Sequence, residues 1–222
     1  MKPYYEENRI RIYNADCREW LASVPECFGV DLVLTDPPYG IGLDYEDFND
    51  TEDAVMGIAT YFNEIIPRAK RTLLTCATRQ IGWYPKPDWI LCWLNRAGAY
   101  MNPWGFTCWQ PVLAYGSDPY LENSLGSRPD VIEHSETAEN NGHPCPKPLG
   151  FWKKLLMRGS VSAEDIVLDP FMGSGTTALV ARANGCKAIG VELNPNYIEI
   201  AAKRLSQEVF DFSLDTPKRA SL

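Results

Sequence analysis

The stretch Ile166-Val167-Leu168-Asp169-Pro170-Phe171-Met172-Gly173-Ser174-Gly175-Thr176-Thr177, with the residues that follow it, leaves this chain few folds to choose from. Ile166 to Leu168 are apolar enough for a buried strand, and Gly173 and Gly175 permit a tight turn whose backbone can approach a ligand closely. The alanine-rich segment from Thr176 to Asn184 has helix propensity, and Gly185 is its stop. A second strand, Lys187-Ala188-Ile189-Gly190-Val191-Glu192, then ends in an acid. An acid about 20 residues beyond a glycine-rich first turn is the arrangement that hydrogen-bonds a ribose diol in doubly wound sheets.

The same alternation runs through the chain. Strands are expected over 9–13, 30–35, 72–76, 166–168 and 188–191, and helices over 18–24, 51–70, 150–157, 176–184 and 195–207, with Asp50 or Thr51 capping the second helix. The aromatic-rich segments 89–94 and 107–115 read as paired strands closing the sheet, with Pro111 implying an edge or a bulge. The expected fold is α/β, a doubly wound, mainly parallel sheet with helices on both faces. Its site belongs at the carboxyl ends of the strands, where Asp16, Asp36, Asp169 and Glu192 all fall.

What the glycine turn holds follows from its charge. A P-loop needs Gly-Lys-Ser/Thr, and no lysine follows Gly175. A dinucleotide fits poorly, because Asp169-Pro170 sets a carboxylate where a pyrophosphate would sit. Negative charge there suits a cationic ligand, and an adenosine bearing a sulfonium and an amino acid group, S-adenosylmethionine, meets that requirement.

A second motif, Asp36-Pro37-Pro38-Tyr39, ends the apolar run Val30 to Thr35. Its prolines remove backbone donors and stiffen the turn, leaving Asp36 and the Pro37 carbonyl as two acceptors for the hydrogens of an exocyclic amine. Tyr39 is then placed to stack on the ring that carries the amine.

Together these motifs resemble the DNA amino-methyltransferases, which pair Asp-Pro-Pro-Tyr with a Phe-x-Gly-x-Gly cofactor loop. The order, with Asp-Pro-Pro-Tyr first, is similar to the permuted group of that family. The resemblance implies a Rossmann-like S-adenosylmethionine-dependent fold and DNA methylation, as in restriction-modification systems. It extends to residues 10–21, where Asp16 is implied to meet the cofactor adenine, and to His143-Pro144-Cys145-Pro146-Lys147-Pro148-Leu149, which borders the methionine end and brings in Lys147. The implied catalytic set is Asp36, Pro37, Pro38 and Tyr39, and the implied cofactor set is Asp16, Lys147, Asp169, Phe171, Gly173, Gly175, Thr176 and Glu192. The implied transfer is a single in-line displacement onto a base flipped from the duplex. Asp at the first motif position tilts the resemblance toward adenine N6. Cytosine N4, an RNA base, a protein amide and a catalytically silent nucleotide-binding subunit are the competing readings.

At 222 residues the chain fits one domain. Its expected parts are a catalytic half about 8–115, a short recognition or lid segment about 116–142, a cofactor half about 143–205 and a surface tail 206–222. No apolar run reaches the roughly 18 residues of a membrane span, and the first residues carry no signal-peptide core, so a cytoplasmic protein with no membrane partner is expected. The seven cysteines are scattered without a Cys-x-x-Cys pair, which reads as reduced thiols and no metal.

The net charge of −8 opposes binding to a polyanion. Two basic clusters, Arg68 to Arg96 and Lys147 to Arg158, are expected to supply a positive strip. Segment 116–142 is short for a module that reads bases, so limited intrinsic specificity, or help from a second copy in a homodimer, is expected.

Overall fold

The computed structural model describes residues 1–207 apart from 46, 47, 99, 137, 140, 141, 143 and 161; His143 and the tail from 208 onward therefore lie outside the described residues. Thirteen strands and six helices are described, in chain order: β1 Tyr5–Glu7, β2 Ile10–Asn14, α1 Cys17–Ser23, β3 Val30–Thr35, β4 Asp44–Tyr45, β5 Phe48–Asn49, α2 Glu52–Ile65, β6 Ala69–Thr75, β7 Trp89–Leu94, β8 Tyr100–Asn102, β9 Gly105–Thr107, β10 Trp109–Tyr115, α3 Pro119–Glu122, β11 Val131–Glu133, α4 Leu149–Gly159, β12 Ile166–Asp169, α5 Thr176–Ala183, β13 Lys187–Glu192 and α6 Pro195–Ser206.

Nine strands form one sheet in the order β1-β2-β13-β12-β3-β6-β10-β7-β11. β2, β13, β12, β3 and β6 run parallel, β10 is antiparallel to both its neighbours, and β1 is antiparallel to β2. Alternation along β3 shows why both faces must be covered. Leu32 and Leu34 join one apolar cluster, with Phe151, Trp152 and Leu155 of α4, Ala178 and Ala181 of α5, and Ile198 of α6. Val30 and Val33 join the other, with Trp20 of α1 and Ile58, Phe62 and Ile65 of α2. Each large side chain removed from water in these clusters contributes roughly 1.5–3 kcal/mol, so the two helical layers hold the central strands in register. Together these layers and the sheet make the doubly wound fold.

Three elements depart from the sequence reading. The helix expected over 51–70 stops at Ile65, because Pro67 cannot donate to a continuing ladder; a 3-10 turn at 66–68 intervenes and β6 begins at Ala69. Thr51, not Asp50, caps that helix, accepting the Ala54 amide at 3.3 Å. Pro111 lies inside the sheet rather than at an edge, since β10 pairs on both sides. Its carbonyl accepts the Cys76 amide just beyond the end of β6, and pairing between the two strands begins only at Val112 and Thr75. The missing N–H thus faces the place where the ladder has run out.

Part of segment 116–142 is also built into the sheet. Val131–Glu133 forms β11, an edge strand parallel to β7. Its Ile132 packs against the apolar cluster, which gives this stretch a structural reason to be extended.

Two glycines probe the backbone with opposite sign. Gly116, at φ +82°, would place a Cβ 2.4 Å from the Lys70 carbonyl, whereas a Cβ on Gly57, inside α2, meets nothing within 4 Å. Gly116→Ala is expected to destabilise by about 1–3 kcal/mol, and Gly57→Ala to stabilise by about 0.5–1 kcal/mol. Thermal melts would show shifts of about 2–4 °C per kcal/mol for a chain this size.

Candidate active site

Asp36 follows directly on the last residue of β3, and three donors converge on it. Its Oδ1 accepts the Tyr39 hydroxyl at 2.5 Å and the Thr75 hydroxyl from the end of β6, and its Oδ2 accepts the Lys147 ammonium. Lys147 lies in the segment leading into α4, so this ion pair joins the two ends of the chain's chemistry. Its Nζ is also 3.5 Å from Cys145 Sγ and sits 5.3 Å from the centre of the Tyr39 ring. Burial works against the Lys147 charge, but the Asp36 carboxylate outweighs it and holds the pKa above the ordinary lysine value.

The structure sets Tyr39 beside Asp36 in a largely buried position. The sequence reading offers its ring as a stacking surface, yet Tyr39 is only 8% exposed, with Lys147 over its face and its hydroxyl accepting Gln110 Nε2 at 2.6 Å. Burial, then the neighbouring Asp36 carboxylate, pushes its phenol pKa far up. Tyr39 therefore stays a neutral donor that orients Asp36 from behind. Gln110, on β10, was not legible as a site residue; nothing in its surroundings in sequence separates it from any other strand residue.

Asp50 is a second residue that the sequence reading placed elsewhere. It is buried, and its carboxylate accepts the amides of Gly40 at 2.6 Å and of Ile41 and Leu43 at 3.0 Å. These bonds fix the loop that leaves the Pro-Pro-Tyr turn and carries β4 and β5 over the site.

The glycine turn is held by two carboxylates, Asp169 buried and Glu192 half-buried. Asp169 accepts the Thr35 hydroxyl at 2.6 Å, the Phe171 amide at 3.1 Å and the Thr177 hydroxyl. Thr177 in turn accepts Trp152 Nε1 at 2.7 Å, which brings α4 into the network. Glu192 accepts the Gly173 amide at 2.7 Å and the Asn194 amide at 2.8 Å, clamping the turn against the end of β13. Gly175 caps α5 at φ +86°, and a Cβ there would lie 2.9 Å from that of Ala201 on α6. Its lack of a side chain lets α5 and α6 pack this closely. Asp16 caps α1 and pairs with Arg18 at 2.6 Å, a contact that lowers its pKa.

One cavity collects these groups. Asp36, Pro38 and Lys147 line it together with Asp16, Asp169, Phe171, Gly173, Thr176 and Glu192; Pro37, Tyr39 and Gly175 are not among the described lining residues. Tyr45 and Phe48, from the β4–β5 hairpin, and Ile58 and Tyr61, from α2, add apolar wall. Carboxylates around an aromatic and apolar cleft, with one ammonium at the Asp36 end, suit an adenosine bearing a cationic centre and an amino acid group. The residues present therefore fit the cofactor expected from the sequence.

Several residues of the two basic clusters are ion-paired. Arg68, Lys70 and Arg71 sit at the start of β6, the sheet edge away from Asp36, and Lys70 and Arg71 are paired with Asp31 and Glu122. Arg158 and Arg128 share Asp118. Among the described residues no helix is long and apolar enough to cross a membrane.

Comparison with known proteins agrees with the geometry. A family profile described as DNA methylase matches residues 89–203. The chain is 46% identical over 243 residues to the DNA adenine methyltransferase YhdJ of Escherichia coli (strain K12), with 87% of this chain and 82% of that protein covered. Among solved structures, the M1.HpyAVI–SAM complex superposes with a TM-score of 0.63 at 24% identity, covering 88% of this chain and 99% of that one. The PvuII DNA methyltransferase (cytosine-N4-specific) gives 0.71 at 20% identity, covering 94% and 90%. These two likenesses establish the fold.

Burial raises the pKa of Asp169 to about 6 and of Glu192 to about 7. Both folded values exceed the unfolded ones, so the folded chain binds more protons through this range, and stability falls as pH rises from about 4 to about 7. Melts of the ligand-free protein should show that fall, and Glu192→Gln should flatten it. An unchanged slope in the variant would assign the fall to other groups.

Proposed function

The chain belongs to the DNA methylase family, and from that premise we propose that it transfers the methyl group of S-adenosylmethionine to the N6 amine of adenine in DNA. The observation that carries this reading is the common cavity onto which Asp36 and Pro38 of one motif and Met172 and Gly173 of the other all open. Asp at the first position of the Pro-Pro-Tyr motif and the adenine-specific relative both favour adenine over cytosine. The same acceptors also fit the N4 amine of cytosine, and that product is the alternative outcome of the test below.

When bound, the cofactor supplies an electrophilic methyl on a sulfonium. In this reading Asp16 meets its adenine and Glu192 its ribose diol, while Asp169, Phe171, Gly173, Gly175 and Thr176 shape the turn beneath it. Asp16, Asp169 and Glu192 together offer negative charge to the cation. Lys147 lines the same cavity and is placed to hold the amino acid carboxylate, leaving Asp36 to the base.

Asp36 and the Pro37 carbonyl accept the two amine hydrogens and stabilise the charge that develops on nitrogen as it is alkylated. Orientation supplies most of the remaining catalysis, because the reaction needs only in-line approach of nitrogen to methyl. The target base leaves the duplex to reach this depth, at a cost of a few kcal/mol. Tyr45 and Phe48, on the cavity wall, offer rings for stacking on that base, while Tyr39 lies largely buried beside Asp36.

Incubation with labelled cofactor and duplex DNA, followed by digestion to nucleosides, is expected to yield N6-methyldeoxyadenosine; N4-methyldeoxycytidine would shift the target, and no labelled nucleoside would remove the reading. Asp36→Ala should lower kcat by about 100- to 1,000-fold while leaving cofactor affinity near wild type. Near-normal turnover in that variant would dismiss the amine clamp.

A further inference from the structure

We propose that the β8–β9 hairpin is a duplex-holding wedge, with Trp104 at its tip stacking on nucleobases beside the target nucleotide; this rests on the reading that DNA is the substrate. The hairpin pairs Met101 with Phe106 across its strands and turns at Asn102-Pro103-Trp104-Gly105. Trp104 is 99% exposed, Met101 75% and Phe106 66%. Thr107, on the opposite side of the ribbon, is buried, so one side of the hairpin is anchored and the other presents large apolar groups to solvent. A soluble protein exposes such a cluster where something covers it.

Its position selects the partner. β7 runs in the direction of β6 and β3, so the connection from Leu94 to Trp109 emerges at the same sheet edge as Asp36. β10 is two strands from β3, about 10 Å at ordinary strand spacing. Gln110, three residues beyond the hairpin, donates to the Tyr39 hydroxyl, so the wedge and the amine clamp share a rigid connection. The hairpin and the cavity residue Asp36 thus lie at the same end of the sheet, where a duplex delivering a base to the cavity would meet both.

Charge makes stacking the fitting mode of contact. The chain carries −8 overall, and two cations of this edge are shared with acids: Arg96 with Glu133 at 2.5 Å and Arg79 with Glu52 at 3.9 Å. Phosphate attraction, which ordinarily supplies most non-specific affinity, is therefore weak here. Aromatic stacking on bases is indifferent to net charge and to sequence.

The test uses the full chain with S-adenosylhomocysteine and a fluorescein-labelled duplex of mixed sequence, read by anisotropy. Trp104→Ala is expected to weaken duplex binding about tenfold or more, with cofactor affinity unchanged. Leu121→Ala, an exposed apolar residue in α3 beyond the carboxyl end of β10, should stay within about twofold of wild type. Two results would overturn the proposal: duplex affinity of Trp104→Ala within about twofold of wild type, or sedimentation showing that this variant converts a dimer to a monomer at unchanged affinity per chain, which would make a second copy the partner of the hairpin. A wild type that methylates DNA while Trp104→Ala matches it sinks the wedge alone; a wild type that neither binds nor methylates DNA sinks the wedge and the methylation reading together.

Discussion

The buried carboxylate of Asp169 is the constraint on which the site depends. It takes a hydroxyl from Thr35 at the end of β3, a hydroxyl from Thr177 in the first turn of α5 and the amide of Phe171 in the glycine turn. A carboxylate this deep costs several kcal/mol unless donors surround it, so the three bonds are not optional. They fix the end of β3 beside the end of β12, and thereby Asp36 beside the turn of Met172 and Gly173. Thr35 is the residue just before Asp36, which leaves little play between Asp36 and the glycine turn.

Around that fixed point the molecule distributes its charges locally. Asp36 and Lys147 neutralise one another in the cavity, Asp16 and Arg18 do so at its rim, and Lys70, Arg71 and Arg158 are paired away from it. Oxygen acceptors remain where a cation and an amine need them. On the proposed reading, an acidic chain of this kind would hold DNA through shape and stacking more than through a broad positive face.

The sequence made the fold legible where local chemistry and tertiary demand coincide. Strand, glycine turn, helix and terminal acid over 166–192 appear where the residues placed them, because Gly173 and Gly175 need positive φ and Glu192 is the acceptor at the end of its strand. What could not be read depends on contacts between distant segments. Tyr39 looks like a stacking ring until Lys147 and Gln110 are seen against it, and Asp50 looks like a helix cap until the loop at 40–43 folds back onto it. Pro111 argues for an edge by propensity alone, and only the end of β6 shows how a central strand tolerates it. The β8–β9 hairpin carries no strong turn motif beyond Pro103 and Gly105, and its exposed face gave no apolar periodicity to count.

A structure of the protein with a cofactor analogue and an oligonucleotide bearing the target adenine bears most directly on the central claim. The account predicts the adenine N6 within about 3 Å of an Asp36 carboxylate oxygen and of the Pro37 carbonyl, with the cofactor ribose at Glu192. An adenine lodged elsewhere, with Asp36 still held by Lys147, would contradict it.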